Sequence, residues 1–322
     1  MFDAAELAAA AALVHAQMPP TPAHAWPLLA AQAGCAVWVK HENHTPTGAF
    51  KIRGGITFVD WLRRTHPEAR GVVTATRGNH GQSIARAARA AGLRAVVLVP
   101  HGNSVEKNAA MQGFGAELIE HGADFDAARE EAARIAAAEG LFFVPPFHRE
   151  LVRGVATYGW ELFRAVPDLD TVYVPIGGGS GICGVLAARD ALGARAEVVG
   201  VVSDAAPCAR LSVAAGRPVA TDSARTFADG MAVRVPIPEA LAVYGPGAAR
   251  IVAVSDAEVA AAIRLYYGAT HNLAEGAGAA PLAALLQERE RMQGRKAAVI
   301  LCGGNIDADW FLTVMQGGVP RM

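Results

Sequence analysis

Short apolar, β-branched runs alternate along this chain with longer Ala/Arg/Glu stretches of helical period, the pattern of an α/β fold with a largely parallel sheet. Val72–Ala75 reads as a buried strand, Gly78–His80 as a turn, and Ser83–Ala91 as a helix that Gly92 stops. Ala95–Val99, Ala116–Glu120 and Phe142–Val144 supply three further strands, with helices at Ser104–Gly113 and Asp124–Glu139 between them. A second series opens with the strand Val172–Pro175, passes through a glycine loop into a helix at Gly184–Leu192, and continues with strands at Glu197–Val202 and Ala297–Cys302. The apolar stretch Leu7–Val14 follows Asp3 and Glu6 instead of a basic region, which predicts an amphipathic helix and no secretory signal. No uncharged apolar run approaches the roughly 20 residues that span a bilayer. There is no internal repeat or low-complexity linker, and the last strand lies so near the final residue that no fused regulatory module is expected.

A length of 322 residues predicts two lobes with a cleft between them. Residues 70–147 group as a small, substrate-closing domain, leaving 1–69 and 148–322 as a large domain. Hydrophobic residues make up 52% and charged residues 18%, which suits a parallel sheet covered by closely packed helices. A formal net charge of -1 offers no general attraction for nucleic acid or a membrane surface, so the expected partner is a small molecule. Cys35, Cys183, Cys208 and Cys302 form no CxxC pair, which suggests neither a zinc site nor a disulfide framework and fits a reducing cytoplasm.

Four loops carry the candidate chemistry. Pro175-Ile176-Gly177-Gly178-Gly179-Ser180-Gly181 follows a strand and opens a helix, where backbone N–H groups and the helix N-terminus can gather round an anion. It has neither the GKS/T ending of a nucleotide P-loop nor a good GxGxxG, and a bare glycine turn is the competing reading. The second loop, Asn43 to Gly55, contains Lys51. A lysine that condenses with an aldehyde must be partly deprotonated, which favours a desolvated or electropositive place. Of the four lysines, Lys40 ends a strand, Lys107 falls in a surface-type helix and Lys296 follows a Gly-Arg turn, so each of those three reads as solvated. The third loop, Thr74 to Gln82, suits a carboxylate, with an N-capping turn as the alternative. The fourth, Leu301-Cys302-Gly303-Gly304-Asn305, lies at the carboxyl end of the last strand, where parallel sheets place ligands.

These four loops, in this order and spacing, resemble the fold-type II pyridoxal-phosphate family, which includes tryptophan synthase β-subunit, threonine dehydratases and serine racemase. The similarity to the threonine/serine dehydratase branch runs over nearly the whole chain, and the hydroxyectoine-utilisation dehydratases are a subgroup within reach. Further matches are Lys107 to Leu118, Ala228-Asp229-Gly230-Met231-Ala232-Val233 and Glu275-Gly276-Ala277-Gly278-Ala279. The resemblance implies a two-domain α/β fold with parallel-rich sheets, a cofactor-binding large domain and pyridoxal 5'-phosphate as cofactor. It makes Lys51 the Schiff-base lysine with Phe50 beside the cofactor, and sets Asn79 on the cofactor's 3-oxygen. Gly177, Gly178, Gly179, Ser180 and Gly181 would hold the phosphate, Gly230 would join the cofactor pocket, and Cys302 would face the pyridine nitrogen. Thr76, Arg77, Gly78, Asn79 and His80 would meet the substrate.

An aspartate facing that nitrogen would keep it protonated, and a thiol would not, which favours loss of a β-leaving group. The implied reaction is dehydration and deamination of a small hydroxy amino acid such as threonine or serine to a 2-oxo acid and ammonia, with Lys51 as general base. Arg77 stands where serine racemase has its second acid/base serine, which disfavours racemisation. The same arginine opens the alternatives of 3-hydroxyaspartate or a hydroxyectoine-derived substrate, or is a solvent-facing side chain. A single acid, Asp204, follows the strand at 197–202, and His41 and His44 lack a third ligand, so no metal is expected. A non-catalytic amino-acid-binding protein is the reading from another class, and retention of Lys51 speaks against it. Relatives of this kind suggest a homodimer or homotetramer.

Overall fold

The structure is a computed structural model that describes residues 1–321. Strands β1 (Ala23–Ala25), β2 (Ala36–His41), β3 (Gly71–Ala75), β4 (Arg94–Val99), β5 (Glu117–Glu120), β6 (Phe142–Phe143), β7 (Thr171–Pro175), β8 (Glu197–Ser203), β9 (Arg250–Val254) and β10 (Lys296–Leu301) make two sheets. The six-stranded sheet has the order β1-β2-β10-β7-β8-β9, and the four-stranded sheet the order β5-β4-β3-β6. Every pairing is parallel except the edge pair β1–β2. The central strands are buried on both faces by helices, which is why they read as continuous apolar runs without alternation.

The expected strands are found within a residue of their predicted ends, and two helices begin earlier than composition suggests. The helix expected from Ser83 starts at Asn79, and the one expected from Gly184 starts at Ser180. Both additions are polar or glycine-rich first turns whose helical state follows from the fold around them, not from propensity. Chain reversals at the carboxyl ends of β2, β3, β7 and β10 place all four loops on one side, between the two sheets.

Helix Lys51–Thr65 is fixed against helix Arg149–Ala165 by glycines at the crossing. A Cβ on Gly54 would lie 2.7 Å from the Leu151 carbonyl oxygen, so only hydrogen lets the two backbones approach. Below the crossing lies a buried charge network. Arg53 donates from Nε to Glu42 Oε2 (2.7 Å) and from Nη1 to Thr157 Oγ1 (2.9 Å) and Glu161 Oε1 (2.6 Å). Lys40 belongs to the same network, donating to the Thr21 carbonyl (2.7 Å) and to Glu161. The solvated reading of Lys40 is therefore corrected: it is 1% exposed, and Glu161, brought in from a distant helix, lets a cation stay in the core.

Candidate active site

The loops enclose a cleft of about 160 Å³ lined by Phe50, Lys51, Thr76, Arg77, Gly78, Asn79, His80, Gly177, Gly178, Gly179, Ser180, Gly181, Gly230 and Cys302. Every residue that the resemblance assigned to cofactor or substrate thus lines one cleft, whereas His41, His44 and Asp204 do not. Lys107, Pro175, Asp229, Glu275 and Ala277 line it too, with no role foreseen for them.

Lys51 opens its helix, and hydrogen bonds hold that turn to the end of β10. The Phe50 N–H donates to the Cys302 carbonyl (2.9 Å), and Ala49 forms an antiparallel bridge with Gly303. Lys51 Nζ donates to Ser180 Oγ (3.0 Å) and lies 5.1 Å from the centre of the Phe50 ring. Burial pushes the amine down to about 8, while Cys302 and Glu275 oppose the shift. The positive end of its own helix acts in the same direction as burial.

Four helices start at the cleft, at Lys51, Asn79, Ser180 and Gly276, and none has a side-chain cap. Away from it, the helices that begin after Asp3, Ser104, Asp124, His148 and Ser255 are capped by a side chain, and those starting at Pro27, Cys208, Pro238 and Ala308 are not, so what sets the cleft apart is that four uncapped starts converge there. Uncapped N-termini leave donors and partial positive charge facing the cleft, which is the electrostatic setting for an anion. This answers the N-capping reading of the third loop, since Gly78 has no side chain to cap with.

The glycine loop is a cradle that Cβ atoms would fill. One on Gly177 would fall on the Gly230 carbonyl oxygen, and one on Gly179, whose φ is +91°, would lie 2.7 Å from Ala240 Cβ. His80 is buried, its Nε2 has no partner, and desolvation followed by Lys51 holds its ring neutral, down to about 3. Cys302 is held well above the ordinary thiol range by burial and then by Glu275, so it stays a neutral thiol.

Lys107 is the second lysine whose solvated reading is corrected. It is 5% exposed and ion-paired with Asp229, and Gly78 packs on its stem. Arg77 is exposed at the rim and has no hydrogen-bond or ion-pair partner among the described residues. His41 and His44 stack at 4.9 Å, and His41 accepts from Trp26 Nε1 (3.0 Å).

A desolvated lysine, a glycine cradle at a helix N-terminus and an orphaned buried imidazole nitrogen fit an aldehyde cofactor that carries a phosphate. The chain belongs to the family described as pyridoxal-phosphate dependent enzyme, whose profile matches residues 14–303. Among its relatives, the L-threonine ammonia-lyase of Geobacter sulfurreducens is 37% identical over 287 residues, covering 89% of this chain and 71% of that protein. The L-threonine ammonia-lyase of Thermotoga maritima is 34% identical over 295 residues, covering 91% and 73%. The processed form of threonine deaminase isoform 2 from Solanum lycopersicum superposes with a TM-score of 0.89 at 27% identity, over 98% of this chain and 94% of that one.

Proposed function

We propose that the protein removes water and ammonia from a small β-hydroxy amino acid, threonine or serine, to give a 2-oxo acid. The observation that carries this is Lys51, a depressed amine with a hydroxyl for a neighbour, at the meeting point of uncapped helix N-termini. Pyridoxal phosphate, when bound, supplies an aldehyde for amines and a conjugated ring that withdraws electron density from the substrate's α-carbon. Gly177 to Gly181 would hold its phosphate and Lys51 its aldehyde, with Phe50 and Gly230 lining the same cleft.

The backbone of Thr76 to His80 and the free His80 Nε2 orient the substrate carboxylate. Once the substrate's amine has taken its place at the aldehyde, the freed Lys51 Nζ takes the proton from the α-carbon, and the hydroxyl leaves the β-carbon with a proton as water. Water taken up later releases ammonia, so the products are the 2-oxo acid and ammonium. The neutral Cys302 thiol donates no full proton to the ring edge it faces, which favours prompt elimination. The kinship with threonine ammonia-lyases supports the same substrate class.

A second reading rests on Arg77. A free guanidinium at the rim suits a second carboxylate, as in 3-hydroxyaspartate. The unit at 70–147 carries the substrate loop and closes over the cleft. Exposed Tyr267, Leu312 and Met315, on two helices that pack together, offer apolar surface to a second copy in a homodimer or homotetramer, and four buried free cysteines suit a reducing cytoplasm. Among the described residues no helix is long and apolar enough to cross a membrane.

Purified protein should carry an absorbance band near roughly 410–420 nm that borohydride removes and Lys51→Ala abolishes. Release of 2-oxo acid should be assayed from threonine, serine, 3-hydroxyaspartate and diaminopropionate. A protein that yields no 2-oxo acid from any of them is not a dehydratase.

A further inference from the structure

Two carboxylates reach the cleft, and they differ in company. Asp229 is paired with Lys107. Glu275 is 2% exposed and has no cation within ion-pair distance among the described residues. Its partners are instead two neutral side chains. Asn79 Nδ2 donates to Oε1 (2.8 Å) and Oε2 (3.0 Å), and Cys302 Sγ lies 3.9 Å from Oε1 as a long thiol donor. Space for the carboxyl comes from Gly303, where a Cβ would lie 2.6 Å from Oε1.

The orientation of Asn79 is imposed from its other side. Asn305 Nδ2 donates to the Thr47 carbonyl (2.9 Å) and to Asn79 Oδ1 (2.8 Å). A carbonyl only accepts, so Asn305 is fixed with its amide nitrogen outward. Asn79 must then present oxygen to Asn305 and nitrogen to Glu275. An ionised Glu275 completes this chain of donors and acceptors. A protonated one brings a hydrogen of its own against the Asn79 amide, and turning Asn79 over would set its NH₂ against that of Asn305. Protonation of either oxygen therefore costs Asn79 one of its two contacts with the carboxyl, whichever way the amide faces.

We propose that Glu275 is a positioning residue, whose carboxylate holds both Asn79 and Cys302 at neighbouring positions of the cofactor ring and releases them when it takes up a proton. This rests on the functional reading above, which sets those two side chains at the 3-oxygen and the ring nitrogen. The groups that face Glu275 are Lys51, His80, Lys107, Asp229 and Cys302. Burial raises the carboxyl first, Lys107 lowers it, Asp229 raises it again and Asn79 lowers it, leaving it at about 7. Its charge is present above that pH and absent below it.

The test is a pH titration of the bound cofactor's absorbance in the holoenzyme. Wild type should change with a midpoint near 7, and Glu275→Gln should be flat across that range and bind the cofactor at least about 5-fold more weakly. Asn305→Ala covers the case in which the first variant fails to fold. It frees Asn79 to turn and accept from the protonated carboxyl, so the midpoint should move up by about half a pH unit or more. A purely structural glutamate would lower stability in Glu275→Gln without altering the titration. A midpoint in Glu275→Gln equal to the wild type, a wild type with no transition near neutrality, or a downward shift in Asn305→Ala overturns the proposal. An enzyme that makes 2-oxo acid while failing these tests refutes the clamp alone, whereas a wild type with no cofactor band overturns the functional reading as well.

Discussion

Gly177→Ala tests the cradle at the point where two loops touch. Its nearest neighbours are all backbone: the Gly230 carbonyl oxygen, the Gly230 carbonyl carbon (3.2 Å) and Met231 Cα (3.6 Å) from the would-be Cβ. No rotamer change can relieve that contact, so the loops at 177 and 230 must part by about an ångström. Overpacking of this kind costs about 1–3 kcal/mol, and if it falls on the bound state it weakens cofactor binding by roughly 5- to 150-fold. Gly178→Ala is the comparison. Its Cβ would meet only the rotatable end of Ile237 at 3.3 Å, so the loss there should be under about 3-fold. Titrating pyridoxal phosphate into apoprotein by absorbance gives both constants, and urea unfolding of the apoproteins separates damage to the fold from damage to the site. Equal losses in the two variants would show that the loop–loop contact is not what shapes the cradle.

The rate at which apoprotein captures the cofactor should rise with pH and level off near 8, where Lys51 loses its proton. At pH 7 such an amine is about a tenth deprotonated, roughly 300-fold more than an ordinary lysine, and a rate still climbing at pH 10 would contradict the shift. Lys107→Met should destabilise the protein by about 3 kcal/mol in denaturant, because it leaves Asp229 unpaired, and adding Asp229→Asn should restore at least half of that. Glu161 is held down to about 2 despite burial, by Arg53 and then Lys40, from an unfolded value of 4.5. It stabilises the fold above about 4.5, and that contribution fades as pH falls towards 2, so Glu161→Gln should flatten acid unfolding in that window. Arg77→Ala should leave turnover of threonine within about 3-fold and, if the second reading holds, cut kcat/KM for 3-hydroxyaspartate at least about 10-fold.

The parts of this site written in local chemistry were legible in the sequence, and the parts made by distant pairs were not. Glycines and short polar residues at strand ends announce turns, so Gly177 to Gly181 and Thr76 to His80 stand out wherever they occur. Periodicity, however, reports only that Lys107 is a polar position in a short helix. Its burial depends on Asp229, 122 positions away, as that of Lys40 depends on Glu161, 121 positions away. Glu275 was visible as part of a motif, yet its contact with Asn79 spans 196 positions.

Solvation was therefore not what separates Lys51 from Lys40 and Lys107, which are buried too, and the structure supplies a better criterion. Lys40 has Glu161, Lys107 has Asp229 and Lys296 has Asp168, whereas Lys51 has the hydroxyl of Ser180 and no carboxylate within ion-pair distance. Burial lowers Lys40 as well, but Glu42 and Glu161 oppose it, and in Lys107 the carboxylates outweigh burial and raise the amine. An amine becomes a base near neutrality when water is removed and no counter-ion is put in its place. Lys51 meets both conditions because the helix ends around it offer donors, and Glu275, the carboxylate whose charge reaches it, is engaged with Asn79.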